Sequence, residues 1–146
     1  MSCLLLGNPC RDLILTDVPL ISVIDDDDWA REGIKELVLS LGYQVVAFAS
    51  AEEFVDSHTI DRTSCIVTDL QMPGLSGVDL QELLRTGGYD TPIIVVTAYP
   101  DEKNRVRAIA GGAVGFLNKP FDERSLIECL GVALRSVKTS DGPRSE

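Results

Sequence analysis

Histidine is almost missing from this 146-residue chain. The one present, His58, lies in a polar stretch and is expected at the surface, which leaves imidazole acid–base or metal chemistry without a residue to carry it. Cysteine lacks pattern rather than number. Cys3, Cys10, Cys65 and Cys129 form neither a C-x-x-C nor a Cys/His metal spacing, which argues against a thiolate zinc site. Two of them fall inside expected core elements, and a reduced, cytoplasmic setting is expected. Positive charge is scarce, with 13 Lys and Arg against 23 Asp and Glu and a net charge of -10. Such a chain repels nucleic acid and anionic membranes, so neither is expected as a direct partner. Long apolar runs are missing as well. Leu4-Leu5-Leu6 is short and has no basic residue ahead of it, so no secretory signal and no membrane span is expected.

What is there is ordinary for a globular domain, 45% hydrophobic and 25% charged, and long enough for one domain with a proper core. Residues 1–19, punctuated by Gly7, Pro9 and Pro19, read as an N-terminal extension. Residues 20–138 read as the domain, and the Ser-, Asp-, Gly- and Pro-rich residues 139–146 as a flexible tail or linker stub. Apolar, β-branched runs at 20–24, 45–48, 64–68, 92–96 and 114–117 predict five strands. Between them, apolar residues recur at helical spacing. Ile34, Leu37, Val38 and Leu41 mark a helix over 28–41 capped by Asp27 or Asp28, and Ser50 with Glu53 is a capping-box signature for a helix through about residue 57. A third helix begins near Gly77 and stops at Gly87-Gly88. A fourth, over 101–110, is expected to turn Val106 and Ile109 inward. The last starts at Asp122 with Leu126, Ile127, Leu130, Ala133 and Leu134 as its stripe. Five strands alternating with five helices call for a parallel sheet covered on both faces.

Ligands in such sheets bind at the carboxyl ends of the strands. The residues there are Asp25 and Asp26, Asp69, Thr97 and Lys119, so the chemically interesting side chains converge on one edge. Asp69 closes the apolar run Ile66-Val67-Thr68 and is followed by the Pro73-Gly74 turn. A carboxylate so placed is a cap or a site. Crowded carboxylates repel, and a bound cation relieves this; Mg²⁺ or Mn²⁺ suits an all-oxygen donor set. Asp26 and Asp69 are expected to contact the metal, Asp25 directly or through water, and the carbonyl of Gln71 to complete the protein ligands. A metal, a hydroxyl and an ammonium around one carboxylate match phosphoryl transfer, with Asp69 as nucleophile and Thr97 and Lys119 on phosphoryl oxygens. Singly, each residue has a plain structural explanation: helix caps, a strand-end hydroxyl, a solvated lysine. Jointly, those explanations need four coincidences at one edge.

Val23-Ile24-Asp25-Asp26-Asp27, Thr68-Asp69-Leu70-Gln71-Met72-Pro73-Gly74-Leu75-Ser76-Gly77, Val96-Thr97-Ala98 and Lys119-Pro120-Phe121 together resemble the receiver domain of a two-component response regulator, over about residues 20–137. The resemblance implies a flavodoxin-like (βα)5 fold with strand order 2-1-3-4-5. It also implies Mg²⁺-dependent phosphorylation of Asp69 by a sensor histidine kinase, with slow autodephosphorylation but no enzyme activity beyond this self-directed chemistry. Phe116 takes the place of the family's switch aromatic, coupled to Thr97, and a homodimer through the helix 4, strand 5, helix 5 face is expected, with Arg105, Arg107 and Arg124 in or beside it. Tyr99 and Gln71 occupy the variable positions that tune dephosphorylation. The pattern is nearest to receivers that precede helix-turn-helix output domains, and transcription would be controlled through such a domain, which these residues do not include.

Two other readings fit less well. A haloacid-dehalogenase-type phosphatase also uses a strand-end Asp nucleophile, but it wants Asp-x-Asp after its first strand and a cap domain. A flavin-binding module wants a phosphate loop where this chain has Asp25 to Asp28.

Overall fold

The computed structural model describes residues 18–98 and 101–141 and, of residues 136–141, the backbone alone. The expectations for residues 1–17, for Tyr99 and for residues 142–146 lie outside the described residues. Five strands, β1 (Leu20–Ile24), β2 (Gln44–Phe48), β3 (Cys65–Asp69), β4 (Ile93–Thr97) and β5 (Gly115–Asn118), pair in parallel in the order 2-1-3-4-5. The helices are α1 (Asp28–Ser40), α2 (Ala51–Asp56), α3 (Gly77–Thr86), α4 (Glu102–Ala110) and α5 (Glu123–Asp141), with a 3-10 turn at Ile60–Arg62.

Successive strand residues point to opposite faces, and each face has its own core. Ile24, Ile66, Ile93 and Val95 pack with Ala51 and Phe54 of α2, Leu80 and Leu84 of α3 and Ala108 of α4. Ile21, Val23, Val67, Ile94 and Val96 pack with Ile34 and Val38 of α1 and Leu126, Leu130 and Ala133 of α5. Every residue of β1, β3 and β4 is buried, as both-sided covering requires, and burying each Ile, Leu or Phe side chain contributes about 1.5–3 kcal/mol. Ser22 is the polar exception in β1. Thr63 Oγ1 donates to Thr59 O at 2.9 Å, so the 2.8 Å bond between hydroxyls is donated by Ser22 Oγ, and the buried group is satisfied.

The helix starts are capped by short polar side chains. Asp27, Ser50, Ser76 and Asp101 each accept a backbone N–H of the first turn, and Ser76 with Asp79 forms a reciprocal capping box. Asp122 accepts from Ser125 N–H at 3.0 Å ahead of α5.

Four details depart from the sequence expectation. In α4 it is Ala108 that faces the sheet, while Val106 and Ile109 are 52% and 46% exposed; the close approach of α4 to α3 and β5 leaves room for a methyl, and the larger residues turn out. Ile127 of the α5 stripe is likewise exposed, the buried line being Leu126, Leu130 and Ala133. The α5 helix runs to Asp141, which takes residues 139–141 out of the expected tail. β3, β4 and β5 each run one residue later than their apolar stretches, because ladder pairing continues through Asp69↔Val96 and Thr97↔Asn118 into the polar positions. No helix of the described residues is long and apolar enough to cross a membrane.

Candidate functional site

β1 and β3 lie side by side at the centre of the sheet with β4 and β5 following, so the first polar residues at their carboxyl ends meet. Lys119, one residue past β5, donates from Nζ to Asp25 Oδ2 at 2.7 Å and to Asp69 Oδ2 at 3.2 Å. Its backbone N–H donates to Thr97 O at 2.7 Å, which fixes the start of the loop against β4. Asp25 is 1% exposed and accepts on both oxygens, Oδ1 taking Asp27 N–H at 2.9 Å. Arg31 of α1 donates to the Asp25 carbonyl at 2.8 Å. Asp69 is buried, and its Oδ1 accepts Gln71 N–H at 3.2 Å.

Burial, and then the charge of Asp25, push the Asp69 carboxyl above its ordinary value, against the opposing pull of Lys119 and the Gln71 amide. Burial works against the Lys119 charge, but the hydrogen bond and charge of Asp25, with those of Asp69, outweigh it and hold the ammonium above the usual lysine range. Two acids therefore share one cation and remain under-compensated.

Asp25, Asp26 and Asp69 each bring a carboxylate oxygen within 4.8 Å of the others, with Asp26 at the exposed rim. Three carboxylates with no imidazole or thiolate among them are a hard donor set, and the excess negative charge is what a divalent cation would offset, so these residues fit a Mg²⁺-type ion. The structure therefore brings Asp25, Asp26, Asp69 and Lys119 together as the sequence predicts. Thr97 is wholly buried at the end of β4, Phe116 is half-buried in β5 against the α2–α4 core, and the Gln71 side chain is exposed while its amide touches Asp69.

Gly77, expected from the sequence only as a helix start, also shapes this edge. A Cβ on Gly77 would stand 2.7 Å from the Asp69 carbonyl and 3.1 Å from Leu70 Cα, and the Gly77 N–H donates to Leu70 O at 2.9 Å. Only a residue without a side chain lets α3 start so close to the end of β3. Gly77→Ala is expected to cost about 1–2 kcal/mol, the range of a forced backbone shift, read as a lower urea midpoint with unchanged slope. A variant as stable as the parent would show that the contact yields freely.

A doubly wound sheet with an acid cluster and one lysine at its carboxyl edge defines a class of site, and comparison with known proteins gives its family. The response regulator receiver domain family matches residues 21–131. Nodulation protein W of Bradyrhizobium diazoefficiens is 42% identical over 78% of this chain and 50% of its own. Transcriptional regulatory protein FixJ of Azorhizobium caulinodans is 40% identical over 78% and 54%. A solved structure of the response regulator StyR superposes with a TM-score of 0.79 at 36% identity, over 87% of this chain and 64% of that one. This chain belongs to the response regulator receiver domain family. It spans about half the length of these curated relatives. Receiver domains are not enzymes in the ordinary sense, and the dehalogenase-type phosphatase finds no support in these matches.

Proposed function

We propose that Asp69 is the phosphoacceptor of this receiver, that the donor is a phosphohistidine of a sensor histidine kinase, and that phosphorylation switches a protein interface. What carries this reading is the bonded triangle of Asp25, Asp69 and Lys119, assembled from β1, β3 and β5. An Asp69 carboxylate oxygen attacks phosphorus as the bond from phosphorus to the histidine nitrogen breaks, giving an acyl phosphate and free imidazole. Mg²⁺ held by Asp25, Asp26, Asp69 and the Gln71 carbonyl would neutralise charge on the phosphoryl oxygens. Lys119, already on Asp69 Oδ2, turns to one phosphoryl oxygen, and the Thr97 hydroxyl donates to another. The same residues would serve self-phosphorylation from a small phosphodonor and slow autodephosphorylation.

Movement of Thr97 toward the phosphoryl group would be followed by Phe116, carried on the neighbouring strand, and so reach the face made by α4, β5 and α5. Val106, Ile109, Val114 and Ile127 are exposed on or beside those elements, which supports a homodimer there. Arg105 is paired with Glu102 at 3.0 Å within α4. The proposed setting is the cytoplasm, where free thiols such as those of Cys65 and Cys129 persist. The proposed outcome is control of transcription through an output domain, as the name of FixJ suggests for that relative. The proposed domain starts at residue 20, and its end, read from the sequence as 138, extends with α5 to Asp141.

Incubation with acetyl phosphate and Mg²⁺ is expected to add one phosphoryl group by intact mass, and Asp69→Asn to add none. Uptake by the Asn variant, or none by the parent, would mean that Asp69 is not the acceptor.

A further inference from the structure

Glu52 belongs to α2 and lies outside the acid cluster, yet its carboxylate reaches the loop that follows Asp69. Its Oε2 accepts the Leu75 N–H at 2.9 Å. Gly74, at φ +78°, brings the backbone so near that a Cβ there would stand 2.2 Å from Oε2 and 3.2 Å from Cδ. Two consecutive residues are thus shaped around one carboxylate, one offering an amide and the other no side chain. The direction of Glu52 is set by its own helix. Ser50 Oγ accepts Glu53 N–H at 3.1 Å, Glu53 Oε1 accepts Ala49 N–H at 3.1 Å, and Ala51 and Phe54 on the inner side are buried.

The loop is held at its ends by its own neighbours, Gln71 N–H on Asp69 Oδ1 and Gly77 N–H on Leu70 O. Between them, among the described residues, Glu52 supplies the side-chain bond that comes from another element. We propose that Glu52 is a positioning residue for the cation site: by clamping Leu75 it restrains the loop from which the Gln71 carbonyl would complete the cation's ligands. The inference rests on the cation role given to Gln71 above. Groups behind the ligands carry about 10- to 100-fold of metal affinity, and an exposed clamp belongs at the low end.

The test is calorimetric titration of the whole chain with MgCl2, together with amide exchange at Leu75 by NMR without metal, for the parent, Glu52→Ala, Glu52→Gln and Asp101→Ala. Glu52→Ala is expected to weaken Mg²⁺ by about 10-fold and to speed exchange at Leu75. Glu52→Gln keeps the acceptor oxygen and loses the charge, and should stay near the parent on both counts. Asp101→Ala removes the cap of α4, which carries neither Glu52 nor the loop, so it lowers Tm and should leave both readings unchanged. Parent-like Mg²⁺ affinity or unchanged Leu75 exchange in Glu52→Ala overturns the clamp, as does a Gln variant as weak as Ala, which would make the effect one of charge. A parent that binds Mg²⁺ but takes no phosphoryl group sinks the phosphoacceptor reading and leaves the clamp standing. A parent that binds no Mg²⁺ sinks both.

Discussion

Lys119→Met is expected to destabilise the chain by about 3 kcal/mol in EDTA at neutral pH, the scale on which removing one partner of a buried ion pair acts. The lysine side chain is 16% exposed and is bonded to two carboxylates, one of them wholly enclosed. Methionine fills much of the same space, so the loss reports the ammonium rather than a cavity. Left without it, Asp25 and Asp69 repel each other, and protonation of Asp69 is what relieves the repulsion. The deficit should therefore shrink as pH falls through the carboxylate range, because protonation removes the charges that Lys119 compensates. Urea denaturation of parent and variant across that range reads both effects. A variant with the parent's midpoint at neutral pH would mean that the two acids are solvated and need no partner.

Asp69→Asn is expected to act in the opposite direction on stability. The Asp69 carboxyl is raised above its ordinary value by burial and by Asp25, so the folded state holds that proton more tightly than the unfolded chain does. Ionised Asp69 is consequently a cost to the fold. That cost is absent below the unfolded value of about 3.9, grows as pH rises toward the folded value, and is complete above it. The Asn variant carries none of it and leaves Lys119 bonded to Asp25. At pH 7 in EDTA it should gain about 1 kcal/mol, roughly 3 °C of Tm for a chain of this size, and the gain should close as pH falls through the window. Thermal unfolding at several pH values decides it; a variant less stable than the parent at pH 7 would mean that Lys119 outweighs burial and Asp25. The substitution that abolishes phosphoryl uptake would then be the one that makes the domain more robust, a compromise common at sites under electrostatic strain.

How far the sequence carried can be read from particular residues. The strands were legible because a sheet covered on both faces demands unbroken apolar runs, and the site followed because each run ends in its polar residue at the same edge. Caps at Asp27 and Ser50 were legible for the same local reason: a short oxygen side chain before a helical period has one main use. Val106 and Ile109 misled because periodicity says that two residues share a side of a helix but not which side meets the sheet, and Ala108 took that place for its size. The lysine was expected on a phosphoryl oxygen; that it bridges Asp25 and Asp69 beforehand depends on distances of 2.7 and 3.2 Å that spacing does not carry. Glu52 left no trace at all, since its partner lies 23 positions away and a backbone amide has no signature in the sequence.

The strand order also sets which elements the charge balance of the site depends on. Its acids arrive on β1 and β3, which pair with each other, while its lysine follows β5 at the far edge of the sheet. No pairing in this sheet is a local hairpin, so the acids and the lysine are joined only through long-range parallel pairing. The charge balance of the cluster therefore depends on the edge strand: whatever loosens β5 from β4 also withdraws the ammonium from Asp25 and Asp69.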